Sequence, residues 1–253
     1  MFLAIDVGNT HTVLGIYEGA TIRHHWRLQT EVERTSDEYG VLVRSLMSAN
    51  DIAKVNGIAV SNVVPSMNRI IDALCRDYLG VVPLFVGPGI RTGMPILYDK
   101  PQEVGADRVV NAIAAYARTK STTIVVDFGT ATTFDYVSKK GEYVGGVIAP
   151  GLAVASKALF DRAAKLSPVE LVKPKTVVGR NTAHAIQSGL IYGYVSLVDG
   201  LIQRIEKENR VKARVIATGG FAPLLAPDSE CIEEVDEFLT LEGLRLVYER
   251  NQE

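Results

Sequence analysis

Cysteine is nearly absent: Cys75 and Cys231, 156 positions apart, are the two in 253 residues. Thiols so few and so distant build neither a disulfide framework nor a zinc site, and they suit a reducing compartment. Charge of one sign is also lacking, with 27 Lys and Arg against 29 Asp and Glu and a net charge of −2. That balance supplies no field for nonspecific nucleic-acid binding or for adhesion to an acidic membrane. No apolar run approaches the roughly 18 residues that cross a bilayer. The start Met1-Phe2-Leu3-Ala4-Ile5-Asp6 reaches a carboxylate early and carries no basic leader, unlike a signal peptide. His11, His24, His25 and His184 show no His-x-x-x-His or Glu spacing, which excludes the usual transition-metal patterns. With 22 Gly and 10 Pro the chain is far from low complexity. The expectation is a soluble, cytoplasmic globular protein with no membrane and no nucleic-acid partner. Its length allows one large domain or two modest ones.

What is present is a repeat. Ile5-Asp6-Val7-Gly8-Asn9-Thr10-His11-Thr12-Val13 aligns with Val126-Asp127-Phe128-Gly129-Thr130-Ala131-Thr132-Thr133-Phe134, and Asp6/Asp127, Gly8/Gly129 and Thr12/Thr133 coincide. One repeat at half the chain length points to duplication of a whole domain rather than a solenoid. The division expected is 1–117 and 118–253.

Each half opens with β-patterned segments, Leu3–Ile16 with Thr21–Leu28 and Thr123–Val137 with Glu142–Ile148. Amphipathic helices follow. Thr35 and Glu38 form a capping box for a helix through about Ala49, and Ser66 is read as the cap of a second. Ala106, Val109, Val110, Ile113, Ala114 and Ala117 make the apolar stripe of a third. In the second half Leu152–Lys165, Thr182 to about Lys207, and a segment from Thr240 read as helices, with strand-like Ala213–Ala217 before Thr218-Gly219-Gly220. Gly189, Gly193 and Gly200 weaken the long one. Alternating strands and helices make the fold class α/β, in two similar domains.

Asp6-Val7-Gly8-Asn9-Thr10 ends an apolar strand, where a glycine lets phosphate oxygens reach backbone N–H groups. Asn9, Thr10 and Thr12 add side-chain donors, and Asp6 is suited to a metal-bound phosphate. Alone, the segment reads equally well as a hairpin turn. Its recurrence at Asp127-Phe128-Gly129-Thr130 favours two loops facing one polyphosphate across a cleft. No Gly-x-x-x-x-Gly-Lys-Ser/Thr occurs, and Gly87-Pro88-Gly89 lacks the third glycine of a dinucleotide fingerprint.

In order and type, Asp6–Thr10, Asp127–Thr130 and Thr218-Gly219-Gly220 resemble the phosphate-1, phosphate-2 and adenosine motifs of the acetate and sugar kinase/Hsp70/actin superfamily. That resemblance implies two ribonuclease-H-like domains around a nucleotide cleft. With Tyr98-Asp99, Gly105-Ala106-Asp107-Arg108, Gly145–Gly151 and Asn181-Thr182 added, the whole chain resembles type III pantothenate kinases. The resemblance implies ATP-dependent phosphorylation of the pantothenate 4′-hydroxyl, the first step of coenzyme A synthesis. It implies ATP binding by Asp6, Val7, Gly8, Asn9, Thr10, His11, Thr12 and Val13, with Thr130 from the second loop. Asp107 would be the catalytic base, and Tyr98, Gly105, Ala106, Asp107, Arg108 and Thr182 would contact pantothenate. Asp127 would hold a monovalent cation, potassium or ammonium, beside the magnesium that ATP carries. A homodimer is implied, with the helix from Thr182 the candidate contact.

Plainer readings stand beside these. Asp107 could cap its helix with Arg108 solvated, Tyr98 could be a half-buried loop aromatic, Thr182 could be an N-cap, and Asp127 could bind magnesium. Two other functions fit the superfamily: a sugar kinase or exopolyphosphatase, or a noncatalytic accessory regulator. Asp6, Asp107, Arg108 and Asp127 together favour an enzyme, since a binding module has no use for the full set.

Overall fold

The structure, a computed structural model, describes residues 1–252. It has two compact units, one of Met1–Pro95, Asp99–Ala114 and the segment from Leu239, the other of Ile96–Tyr98 and Ala115–Phe238. The first begins with β1 (Phe2–Val7), β2 (His11–Glu18) and β3 (Thr21–Gln29), an antiparallel meander. Helix α1 (Ser36–Ser48) then leads to β4 (Gly57–Asn62), which pairs parallel to β1. Helix α2 (Asn68–Ala73), β5 (Leu84–Phe85) and α3 (Ala106–Thr119) follow, and the sheet order is β3-β2-β1-β4-β5. Central β4 is buried on both faces, as a parallel strand covered on both sides must be, so it reads as an apolar run without alternation.

The second unit repeats the plan. β6 (Thr123–Phe128), β7 (Ala131–Val137) and β8 (Tyr143–Pro150) form a meander, followed by α4 (Leu152–Arg162) and α5 (Thr182–Asn209). β9 (Arg214–Thr218) pairs parallel to β6, and after α6 (Ala222–Leu225) the two-residue β10 (Glu234–Val235) completes the sheet. Read from the other edge, its order β8-β7-β6-β9-β10 matches the first sheet strand for strand. Helix α5 is the one helix among the described residues long and apolar enough to cross a membrane, at a hydropathy of 1.3. Its Leu190, Ile191, Val195, Val198 and Ile202 fill the core of this unit instead.

The chain then returns. Helix α7 (Leu239–Arg250) packs on β1 and β4, with Leu239, Leu241, Leu244 and Val247 fully buried. Three glycines let it close in: Gly15 against Leu241, Gly57 against Tyr248, and its own Gly243 against the backbone of Val110 in α3. The first unit is therefore discontinuous in sequence. The break falls between Ala114 and Ala115, inside α3, and the C-terminal helix stays with the half that the chain began.

Local readings of the sequence meet different fates. The Thr35–Glu38 capping box is present in both directions. Ser66 caps nothing: Pro65 starts a 3₁₀ turn, Pro65–Met67, that runs into α2 and then a π-helical turn, Leu74–Tyr78. Asn181 caps α5, its side chain accepting from the His184 N–H at 2.9 Å, which leaves Thr182 as the first helical residue. The repeat also slips. Val7 faces Thr12 in the first hairpin, whereas Phe128 faces Thr132 in the second. The first loop, Gly8-Asn9-Thr10, is thus one residue longer than Gly129-Thr130, and the counterpart of buried Thr12 is buried Thr132 rather than Thr133. Because strand faces alternate, that single residue exchanges the two faces.

Candidate active site

In the first unit β1 delivers Asp6 and Val7 to the loop. Val7 lies in the core and Asp6 is half-buried. The loop is closed by Gly8 N–H donating to His11 O at 3.0 Å. A Cβ on Gly8 would stand 3.1 Å from that oxygen, so close approach, and no positive φ, is what suits glycine there. Thr30, at the end of β3, braces the loop from beneath. Its N–H donates to Thr10 O at 3.0 Å, its hydroxyl to Gly8 O at 2.8 Å, and its Oγ1 meets the Thr12 hydroxyl at 3.0 Å. Thr12 is 2% exposed, and its hydroxyl is engaged with Thr30 beneath the loop. Asn9, Thr10 and His11 are the exposed tip, and Val13 is half-buried on β2.

Gly105-Ala106-Asp107-Arg108 opens α3 beside this loop. The Asp107 carboxylate folds back over Gly105, where any Cβ would collide with it, and accepts the Arg108 N–H at 2.8 Å. Burial pushes the Asp107 carboxyl above the usual carboxylate range, against the opposing pull of the Arg108 N–H and guanidinium. Arg108 is 8% exposed and begins a run of buried residues through Ala115, so the picture of a solvated arginine is corrected. A guanidinium held there has a fixed position and little water, which suits gripping an anion.

The loop and α3 meet through the exit of β4. Val63 N–H donates to Val7 O at 3.1 Å, and the site of a Gly105 Cβ lies 3.7 Å from Val63 Cγ1. Asn62 fixes this exit, its Oδ1 accepting from Val64 N–H at 2.8 Å and its Nδ2 donating to Asn68 at 2.7 Å. Ser61, the last residue before that turn, stands directly opposite Asp6 in the parallel register.

In the second unit β6 delivers half-buried Asp127 to the exposed turn Gly129-Thr130. Gly219, at φ +89°, packs on this turn: a Cβ there would lie 2.5 Å from Asp127 Oδ1 and 2.7 Å from Phe128 N. Gly151 approaches from β8. Its N–H donates to Thr130 O at 3.0 Å, and a Cβ would collide with the Gly129 and Thr130 carbonyls. Thr133 pairs with Asp127 on the same sheet face, and its Oγ1 is buried without a hydrogen-bond partner among the described residues. Tyr98 is half-buried, its ring edge-on to Tyr143 at 6.4 Å and near Gly145. Thr182 is exposed at the first turn of α5.

The structure therefore gathers Asp6–Val13 with Gly105–Arg108 in one unit, and Asp127 with Thr130, Gly151 and Thr218-Gly219 in the other. Sequence reading missed Thr30, Ser61 and Asn62. Their signal was positional, since hydroxyl and amide residues at the ends of strands beside an Asp-x-Gly strand end at the same level of the sheet.

The family model described as type III pantothenate kinase matches residues 2–204. The chain is 55% identical to the type III pantothenate kinase of Myxococcus xanthus, covering 99% of both. It is 52% identical to that of Geobacter sulfurreducens, with both chains fully covered. Among solved structures, a Baf family transcriptional activator from Campylobacter jejuni aligns with a TM-score of 0.62 at 19% identity, over 99% of this chain and 98% of that one. A ROK hexokinase from Thermus thermophilus aligns at 0.54 and 14% identity, over 100% and 99%. At such identities these two establish the shared actin-like, duplicated fold.

Proposed function

The chain belongs to the type III pantothenate kinase family, and from that premise we infer how its residues divide the work of the reaction. It phosphorylates pantothenate with ATP, opening coenzyme A synthesis. Asp107 orients the 4′-hydroxyl and takes its proton as the oxygen bonds to the terminal phosphorus and the bond to the ADP oxygen breaks. The carboxyl held above its usual range by burial supports this, because a base nearer the working pH accepts a proton more readily. What carries the assignment is the place of Asp107 at the opening of α3 beside the Gly8 loop, with buried Arg108 next to it. Arg108, buried beside it, pairs with the pantothenate carboxylate. Gly105 and Ala106 give the substrate backbone contact, and Tyr98 and Thr182 complete the pantothenate contacts.

Asp6–Val13 bind the ATP phosphates through the Gly8 loop and its exposed tip, with Thr130 contributing from the second loop. Magnesium bound with ATP neutralises charge on the phosphates. The residues fit it through Asp6, a half-buried carboxylate near the end of β1. A magnesium held mainly by phosphate and water needs one such carboxylate and no cage. Asp127 holds a monovalent cation, potassium or ammonium. Supporting this are the buried, partnerless Thr133 oxygen paired with Asp127 across β6–β7 and the close approach of Gly219 to the Asp127 carboxylate.

The active form is a cytoplasmic homodimer joined through α5. Supporting this, Ala185, Gly189, Gly193 and Ser196 are exposed along one side of that helix, and nothing stands within 4 Å of a Cβ added at Gly189 or Gly193. ADP release measured over a panel of acceptors, namely pantothenate, hexoses, polyphosphate and water, tests the substrate. Turnover confined to pantothenate is expected, and preference for a sugar or for water would overturn the reading.

A further inference from the structure

Ser61 is fully buried, and its hydroxyl oxygen has no hydrogen-bond partner among the described residues. Removing a hydroxyl from water without giving it a partner is costly, so such groups are rare unless something else meets them. Its position says what that is. Ser61 pairs with Asp6 across the parallel β1–β4 ladder, so the two side chains leave the same face, about 4.8 Å apart along the sheet. Both stand at the carboxyl ends of parallel strands, where α/β sheets collect their ligands. The next residues, Asn62–Val64, are the turn that abuts both the Gly8 loop and Gly105. A hydroxyl residue recurs at the equivalent position of the other unit, where buried Thr218 pairs with Asp127 across the parallel β6–β9 ladder.

We propose that Ser61 is a further residue of the nucleotide site, its hydroxyl hydrogen-bonding a water of the magnesium hydration shell that Asp6 also engages. The inference rests on the reading of Asp6 as a Mg·ATP residue. A magnesium ion that keeps several waters needs second-sphere oxygens of this kind, and a serine can donate to one water while accepting from another. Because the hydroxyl serves only the loaded state, it adds nothing to the empty fold.

The test compares wild type and Ser61→Ala by calorimetric binding of AMP-PNP with and without magnesium, alongside thermal melting of the unliganded chains. Wild type should bind more tightly with magnesium. Ser61→Ala should melt at or slightly above the wild-type temperature and bind magnesium-free AMP-PNP normally. It should lose roughly tenfold or more of the magnesium-dependent gain, the scale of a hydrogen bond to a charged centre. In a double-mutant cycle with Asp6→Asn the two losses should be non-additive, because both act on one hydrated ion. An unchanged magnesium gain in Ser61→Ala overturns the proposal. So does a parallel fall in melting temperature and in both affinities, which would mark the hydroxyl as structural. If Ser61→Ala does not fold, Ser61→Gly removes the hydroxyl without adding volume, and the same outcomes decide. A wild type without any magnesium gain would instead remove the premise about Asp6, and the proposal with it.

Discussion

Asp107 sits where two opposing effects meet: the first turn of a helix, which favours an anion, and burial, which disfavours one. Burial prevails, and the carboxyl is raised. A raised folded value means that the native state holds the proton more tightly than the unfolded chain. The stabilisation is therefore complete below the unfolded value and is lost as pH rises through the folded one. Above that folded value the desolvated carboxylate detracts from stability. Asp107→Asn should accordingly melt no lower than wild type at pH 7, with any advantage shrinking in acid, while kcat falls roughly 100- to 10,000-fold. In wild type, kcat/KM should fall on the acid side with an inflection above the ordinary carboxylate range, and the residual activity of Asp107→Asn should lack that limb. Near-normal turnover of the variant, or a limb that persists in it, would remove Asp107 as the base. Asp107 stood out in the sequence because its setting is local, a glycine two positions ahead and an arginine beside it. Thr30 was not, since it acts on a loop more than twenty residues away and only the β2–β3 register brings it there.

At the scale of elements, glycine decides how closely backbone can approach backbone. Gly219 couples β9 to the Asp127 turn, and it has a positive φ as well as no room for a methyl. Gly219→Ala should destabilise the fold by at least about 1 kcal/mol, read as a lower denaturation midpoint, and weaken activation by potassium. A variant with wild-type stability and cation response would contradict the packing described. The Thr-Gly-Gly segment was visible in the sequence, but not that its glycine leans on the other loop. Strands with clear alternation or paired turns were readable, and so was the capping box of α1. β4 was not: buried on both faces, it offers a short apolar run and no period, and with it Ser61 went unread. The long helix from Thr182 was readable despite its glycines, because an exposed helical glycine costs about 1 kcal/mol, too little to break a helix whose inner face fills a core.

For the molecule as a whole, duplication was legible because two aspartate loops recur at half the chain length, and both sheets share one strand order. The closing of the first unit by α7 was not, since a sequence split assigns each helix to the half it adjoins. Leu239, Leu241, Leu244 and Val247 are at most 1% exposed. At about 1.5–3 kcal/mol each their burial approaches the whole stability of a domain. A chain ending at Phe238 should therefore fail to fold its first unit, seen as lost cooperative melting and early proteolysis within residues 1–95, and a stable, active truncation would contradict this. If α5 joins a homodimer as proposed, Gly193→Arg should leave the monomer folded yet halve the mass seen by light scattering; an unchanged mass, or a monomeric wild type, would contradict that contact. The central claim is that this chain phosphorylates pantothenate through Asp107. Incubating wild type and Asp107→Asn with ATP, magnesium, potassium and pantothenate, and measuring ADP together with 4′-phosphopantothenate by mass spectrometry, tests it most directly. One phosphopantothenate per ADP from wild type, and almost none from the variant, is the outcome expected; no phosphopantothenate from wild type, or equal amounts from both, would contradict it.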